Sequence, residues 1–434
     1  MWDRLLLSFL LLFFLRGLQA LAAEPLVIIS PHWEGIREEF TRDFKAWYKQ
    51  RTGRDVEITW MDQGGASNCL RFVKSEFARS PEGIGIDLFY GGGVSPYNDL
   101  ASRRLLFPYR VPEKILEKMP PDINGLPLYD PYHRWYGTSL SGFGILYNKR
   151  ILKMLDFPMV EDWEGLTDPA IANWVGSADP RDSSSIHTIY DIVLQAYGWK
   201  KGWAVIIKMG ANINGFVRSS AQIGKDLAAG ETAYGLCIDT YAYSAIADAS
   251  EDNLGFVFPR QVTAITPDPI AILKGAPNMD RAKAFIRYSL SPRAQRIWMY
   301  RAGVPGGPEK FSLHKMSILP EVYETERLEE KTFVRVNPFA AKKGLVYDFE
   351  KSTARWGVLN DLMGAFVIDT HNDLVGAWKN AAGDEKVLAE IGKMPVTEEK
   401  AMDYAKKWDN PEFRNEKISE WLKAARKKYK NLQK

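Results

Sequence analysis

Cysteine and histidine are scarce in this sequence of 434 residues, which contains only Cys69, Cys237 and five histidines. Two cysteines cannot supply the disulfide framework of a small exported domain. Both cysteines are flanked by apolar residues, so we expect two separate buried thiols. The histidines show no i,i+4 pairing of the kind that holds zinc. The sequence therefore predicts neither a disulfide scaffold nor a cofactor.

An excess of charge of one sign is also absent. The net charge is only +3, which is too small to favour nucleic acid as a partner. The lysine-rich segment of residues 400–434 also carries glutamates, tryptophans and leucine, a mixture typical of a solvated amphipathic helix. We expect a monomer that binds no nucleic acid.

Only one long apolar run occurs, over residues 5–15, and Arg16 ends it well short of the ~20 residues that a membrane span needs. The pattern Ala20-Leu21-Ala22 follows, which is typical of a signal-peptide cleavage site. We therefore predict that residues 1–22 are a cleaved signal peptide. The remaining protein is expected to be soluble and periplasmic.

Apolar strand-like segments at residues 26–29, 56–60 and 86–90 are each followed by a loop and a helical pattern. This repeat predicts an α/β fold with a parallel, doubly wound sheet. In such sheets ligands bind beyond the carboxyl ends of the strands. The loop residues predicted to bind a ligand here are His32, Trp33, Gly65, Ser67, Gly92 and Gly93.

A second α/β unit is expected over residues 141–264. It opens with a short strand and three serines at the start of a helix, where free backbone N–H groups favour an anion. Gly198 is expected to end this helix, and further helices are expected over residues 202–213 and 219–229. Extended segments at residues 137–148 and 265–273 predict two crossings that form a hinge beside a cleft. We assign residues 23–140 and 265–434 to lobe 1, residues 141–264 to lobe 2, and the segment beyond about residue 310 to a helical extension of lobe 1.

The chain resembles the periplasmic solute-binding proteins of ABC importers. The resemblance is to the type 2 fold branch that includes ferric-ion, thiamine, sugar-phosphate and phosphonate binders. It is carried by Asp87-Leu-Phe-Tyr-Gly-Gly-Gly93, Gly144-Ile-Leu-Tyr-Asn148, Ala178-Asp-Pro180 with three following serines, and Gly230-Glu231 with residues 235–239. The resemblance implies a two-lobed protein that captures a small solute, delivers it to an inner-membrane ABC permease and performs no chemistry.

The loop chemistry favours a small anionic organic solute bearing phosphate, phosphonate or carboxylate. Hydroxyl and guanidinium groups can donate to such an anion. The predicted ligand residues of the second lobe are Arg181, Ser183, Ser184, Ser185, Asp239 and Tyr241.

A ferric or thiamine-type binder of the same fold is the alternative. The ferric ligand set would be His32, Tyr147, Tyr241 and Tyr243, because phenolate oxygens suit a hard cation. The two neighbouring tyrosines could share an ion on an extended segment, but on a helix they would point apart.

Two further functions remain open. A sensing protein that presents its bound ligand to a membrane receptor would have the same sequence pattern. An exported hydrolase is the other, because Ser312-Leu-His-Lys315 fits a Ser-x-x-Lys pattern. Its companion motif and the Gly-x-Ser-x-Gly and His-Glu-x-x-His motifs are absent from the sequence.

Overall fold

The computed structural model describes residues 23–433 except 260, 341–343 and 382. The predicted signal peptide lies outside the described residues. The chain divides into two compact units: unit 1 comprises the chain up to residue 117, with 129–138 and 269–297, and unit 2 comprises 118–128, 139–268 and the chain from 298 onward. No helix in the described part of the chain is both long enough and apolar enough to cross a bilayer.

Strands and helices alternate through most of the chain, as expected for an α/β fold. The strands are β1 (Glu24–Ile29), β2 (Val56–Met61), β3 (Leu88–Tyr90), β4 (Leu106–Phe107), β5 (Asp122–Ile123), β6 (Leu126–Pro127), β7 (Tyr136–Asn148), β8 (Val175–Ala178), β9 (Ile213–Val217), β10 (Tyr234–Ile238), β11 (Leu254–Val257) and β12 (Ile265–Leu273). The helices are α1 (Glu34–Thr52), α2 (Ala66–Arg79), α3 (Val94–Ser102), α4 (Glu113–Leu116), α5 (Lys149–Leu155), α6 (Ser184–Ala211), α7 (Ser220–Ala229), α8 (Asp239–Ala249), α9 (Met279–Ser289), α10 (Pro292–Met299), α11 (Leu328–Lys331), α12 (Phe349–Met363), α13 (His371–Asn380), α14 (Glu385–Ile391), α15 (Glu398–Ala405) and α16 (Pro411–Leu432). A π-helical turn, Gly364–Ile368, follows α12.

Unit 1 is built on a sheet in which β1 pairs in parallel with both β2 and β3, and β12 joins β3 in antiparallel orientation. This confirms the parallel arrangement predicted from the repeat. All of β3 and three of the six residues of β1 are buried. The apolar face of α1 covers this sheet with Phe40 and Phe44, both fully buried. The carboxyl ends of β1, β2 and β3 lie at one edge of the sheet, where the glycine-containing loops begin.

Unit 2 is built on a second sheet, in which β10, β8 and β9 run parallel and β7 and β11 add antiparallel strands. Helix α6 begins after β8 and contains one non-helical residue, Gly198, with φ of 75°. The glycine there ends the first helical segment, as the sequence predicted, because an L side chain rarely adopts this conformation. A helix had been predicted over residues 202–213, whereas the structure ends α6 at Ala211 and forms β9 directly afterwards.

The segments predicted to cross between lobes are the strands β7 and β12. The division between the units falls inside both strands, after residue 138 and after residue 268. The helical extension belongs to unit 2, which differs from its assignment to lobe 1. The physical reason is a buried ion pair within unit 2: Arg355 of α12 donates to Asp191 of α6 over 2.7 Å, and only 1% of the arginine side chain is exposed.

Candidate functional site

Three loops of unit 1 meet at the carboxyl ends of β1, β2 and β3. A Cβ atom added to Gly91 would lie 2.5 Å from Nε2 of His32, and one added to Gly92 would lie 2.7 Å from Cβ of Ala66. Both glycines have φ near 90°, a region that L residues rarely adopt. The loop after β3 therefore uses glycine so that it can contact the loops after β1 and β2.

Helices α2 and α3 begin at these loops without a side-chain cap. Their N-cap residues are Gly65 and Gly93, which have no side chain that could cap the helix. Ser67 lies exposed in the first turn of α2. The positive end of the helix dipole makes such a start favourable for an anion.

His32 and Trp33 occupy different environments although they are neighbours. The His32 ring is buried and packs edge-on against Tyr90, with ring centroids 4.8 Å apart. Trp33 precedes α1, and its ring lies against the backbone of Gly35, where a Cβ would approach it within 2.0 Å. Even so, 43% of Trp33 is exposed. The indole is therefore packed on one side and open on the other.

Replacing Gly91 with alanine is expected to destabilise unit 1 by about 2–4 kcal/mol. The left-handed conformation costs an L residue about 1–2 kcal/mol, and the added methyl overlaps the His32 ring. Gly53→Ala is the matched control, because Gly53 has φ of 71° and open space around its Cβ position. Urea unfolding of both variants measures the difference; equal losses would contradict the close approach of the two loops.

In unit 2, serine hydroxyls from two helix starts form a row. Ser183 is the N-cap of α6 and accepts from the backbone N–H of Ile186 at 3.4 Å. Its Oγ lies 3.2 Å from Oγ of Ser185, which in turn lies 3.0 Å from Oγ of Ser220 in the first turn of α7. The structure thus brings together two of the predicted serines. Ser184 is exposed between them.

Arg181 does not present a free charge. Its guanidinium forms hydrogen bonds of 2.6–3.0 Å with Asp179 and of 2.9 and 3.0 Å with Asp369. These carboxylates raise the pKa of Arg181 above its ordinary value and hold its charge. The sequence predicts Arg181 as an anion ligand, whereas in the structure its guanidinium is bound by two carboxylates of unit 2.

Arg218 is a cation of unit 2 that was not among the predicted ligand residues. It is exposed and lies between β9 and Ser220, and it forms no ion pair within the described ranges. The pairing of β8 with β9 places it beside the serine loop, because Val217 aligns with Ala178 and its carbonyl accepts from Asp179 N at 2.9 Å. The available signal was Arg218-Ser219-Ser220 directly before a predicted helix.

Asp239 is the first residue of α8 and is fully buried. Its Oδ1 accepts from the backbone N–H of Thr240 at 2.7 Å and from the Thr240 hydroxyl at 3.3 Å. Burial raises its pKa to about 7, although the Gly142 backbone and the charge of Lys315 oppose this shift. Asp239 therefore changes charge close to neutral pH.

The stability of wild-type protein without solute should fall, relative to Asp239→Asn, between pH 4 and pH 7. The unfolded carboxyl loses its proton near pH ~4 and the folded one only near pH 7. Over this range the folded state binds more protons, so raising the pH disfavours folding. Above pH 7 we expect the variant to have gained up to about 4 kcal/mol relative to wild type, because each unit of pKa difference corresponds to about 1.4 kcal/mol. Urea unfolding of wild type and Asp239→Asn at pH 4.5 and pH 8 measures the difference between their free energies of unfolding. The same difference at both pH values would contradict the prediction.

The tyrosines of the ferric alternative do not face one another. Tyr241 and Tyr243 lie on the same helix, α8, with 36% and 5% of their surfaces exposed. Tyr243 packs edge-on against Phe256 with centroids 5.7 Å apart. Burial raises the pKa of both phenols, which disfavours phenolate. Tyr147 lies on β7 and is half-buried. No group of three or more metal-binding His, Cys, Asp or Glu side chains occurs in the described ranges.

The Ser-x-x-Lys motif has structural partners for both of its polar side chains. Ser312 accepts from the backbone N–H of Ala302 at 2.8 Å. Lys315 is buried and forms a 2.7 Å ion pair with Asp268. Both polar side chains of the motif therefore have partners within unit 2.

A profile of bacterial extracellular solute-binding proteins matches residues 87–318, which is more than half of the chain. The chain therefore belongs to the family of bacterial extracellular solute-binding proteins. This is a family of binding proteins and not of enzymes, and membership implies a small-molecule ligand.

Among curated proteins, the chain is 32% identical over 161 residues to the phosphoglycerate transport regulatory protein PgtC of Salmonella typhimurium. The aligned part covers 37% of this chain and 39% of that protein. The chain thus matches about two fifths of this relative's length.

Two solved periplasmic binding proteins share the fold. One is AfuA from Actinobacillus pleuropneumoniae with exogenous fructose-6-phosphate bound, with TM-score 0.60, 21% identity, and coverage of 82% of this chain and 97% of AfuA. The other is iron-bound HitA from Pseudomonas aeruginosa, with TM-score 0.59, 16% identity, and coverage of 78% and 98%. These similarities identify a two-lobed periplasmic binding protein fold and confirm the predicted fold class.

Proposed function

We propose that this protein captures a small anionic organic solute outside the inner membrane and delivers it to an ABC permease. The observation that carries the proposal is the set of helix starts whose N-cap residue is glycine or serine. Helices α2 and α3 begin with glycine and lack a side-chain cap, and the hydroxyls of Ser183, Ser185 and Ser220 join the starts of α6 and α7. Such groups stabilise an anion by direct donation and by the helix dipole.

Phosphorylated compounds are the first class to test. The AfuA structure contains fructose-6-phosphate, and the name of the Salmonella relative refers to phosphoglycerate. Ser67, Ser184 and Arg218 are exposed donors that suit phosphate oxygens. Tyr241 of unit 2 and the open face of Trp33 of unit 1 are each proposed to contact the uncharged part of the solute, whereas Asp239 is fully buried and is left out of this proposal.

Thermal unfolding in the presence of a solute panel tests the proposal. The panel contains phosphorylated sugars, phosphoglycerates, phosphonates, carboxylates, thiamine forms and ferric citrate. A ligand at a hundredfold excess over its Kd should stabilise the protein by about 2.7 kcal/mol. Stabilisation by ferric citrate or thiamine alone would favour those alternatives. Uniformly unchanged unfolding, together with turnover of a generic ester or β-lactam, would contradict a binding role.

A ligand-sensing role at a membrane receptor is the second candidate, because the Salmonella relative is named as a regulatory protein of transport. Transport and sensing differ in which cellular response is lost when the gene is deleted. Deleting the gene for a transport component abolishes uptake of the labelled solute even when the permease is expressed constitutively. Deleting a sensor leaves that uptake intact and removes only the transcriptional response.

A further inference from the structure

The C-terminal extension contacts the same loop that precedes the serines of unit 2. We infer that it is a positioning element, which holds residues 179–187 in the arrangement that presents Ser183 to Ser185. The inference rests on the proposed function only for the role of these serines. The residues of the extension that make these contacts lie beyond residue 318, where the match to the family profile ends.

The first contact is an ion pair between Asp369 and Arg181. Two guanidinium nitrogens of Arg181 donate to the two carboxylate oxygens of Asp369, at 2.9 and 3.0 Å. Asp179 holds the other side of the same guanidinium. A bidentate pair fixes direction as well as distance. Arg181 lies two residues before the helix cap Ser183, so this pair restrains the loop at its turn.

The second contact is made by the π-helical turn. Gly364 lies directly beneath the Arg181 side chain, where a Cβ atom would approach Nη1 within 2.8 Å. Its φ is −50°, so the backbone there would accept alanine without strain. The lack of a side chain at Gly364 therefore provides the space that Arg181 occupies.

The third contact is made by α12 against the first turns of α6. The Trp356 indole stacks on His187, with ring centroids 3.5 Å apart. In the orientation that gives both the oxygen and the nitrogen of its amide a partner, Asn360 donates to Nδ1 of His187 at 2.6 Å and to the carbonyl of Pro180 at 3.3 Å. His187 is fully buried. Loop and helix are thus held at Pro180, Arg181 and His187.

An extension that only filled space would need apolar packing alone. The three contacts of this extension are directional instead. Each of them reaches the loop or the first turn of α6. Restraint at these points adds to the loop's own backbone hydrogen bonds and lowers its local opening.

Hydrogen exchange of the solute-free protein tests the inference. In Asp369→Asn, backbone amides of residues 179–187 should exchange about threefold to tenfold faster, because the ion pair is partly exposed and of moderate strength. Gly364→Ala should act in the same direction by displacing Arg181, and Asp369→Glu should recover part of the protection. Glu164→Gln is the matched control, since it breaks an exposed pair with Lys201 in the same unit.

The affinity for a stabilising phosphorylated solute provides the second measurement. Asp369→Asn should weaken it about threefold to tenfold while shifting the melting temperature no more than Glu164→Gln does. Unchanged exchange at residues 179–187 overturns the inference, whichever solute binds. Faster exchange with unchanged affinity overturns it as well. If no solute binds the wild-type protein, the proposed function fails, and the exchange result alone decides whether the extension positions the loop.

Discussion

Replacing Arg355 with methionine should lower the free energy of unfolding of unit 2 by about 3–5 kcal/mol, since it leaves a buried charge without its partner. Arg355 donates to Asp191 through Nε and Nη2, at 2.9 and 2.7 Å, and to Glu398 through Nη1 at 2.6 Å. The Tyr347 hydroxyl donates to the second oxygen of Asp191 at 2.7 Å. Only Glu398 in this group is substantially exposed.

Hydrogen exchange of the α6 amides in increasing urea measures this loss within unit 2. Lys201→Met is the matched control, because it breaks a pair with Glu164 in which both side chains are about half exposed; such pairs contribute about 0.2–1 kcal/mol. The double variant Arg355→Met, Asp191→Leu should recover part of the loss, since it removes both buried charges. A loss below about 1 kcal/mol for Arg355→Met would show that the pair does not stabilise the unit.

Arg218→Gln should weaken the binding of a phosphorylated solute by about tenfold to a hundredfold. A hydrogen bond from a charged donor to phosphate contributes about 1.5–3 kcal/mol. Arg218 has no ion pair in the described part of the chain and lies two residues before Ser220. Glutamine keeps a donor and most of the length of the side chain, so the change isolates the charge.

Isothermal titration of wild-type and variant protein at two salt concentrations measures this effect. Added salt should weaken wild-type binding more than binding by Arg218→Gln, because it screens an exposed charge. Arg150→Gln is the control, as Arg150 is an exposed arginine on α5 of the same unit. Equal dissociation constants for wild type and Arg218→Gln would remove Arg218 from the proposed binding groups.

Local pattern was enough to predict much of the fold. The repeated strand, loop and helix pattern of unit 1 lies within short stretches of consecutive residues. The glycines that let its loops approach one another lie in the same stretches. The helix break at Gly198 was equally local. Ser183 and Ser185 could be predicted as neighbours because both belong to one helix start.

Partners that are distant in sequence could not be predicted. Arg181 resembled a free anion ligand because Asp369, its second carboxylate, lies 188 residues further along the chain. The extension was assigned to lobe 1 for the same reason, since its buried pairing with Asp191 leaves no local signal. Tyr241 and Tyr243 required the exact start of α8 to decide whether they face the same way. Arg218 was overlooked because the short strand β9 before it was not recognised.

The two buried cysteines provide a separate probe of each unit. Cys69 lies on α2 of unit 1 and Cys237 on β10 of unit 2, and both thiols are free. Burial raises the pKa of each thiol, so neither reacts with an alkylating reagent while its surroundings stay closed. The rate at which each cysteine is modified therefore reports how often its own unit opens. Mass spectrometry of the alkylated protein can thus follow the opening of each unit separately.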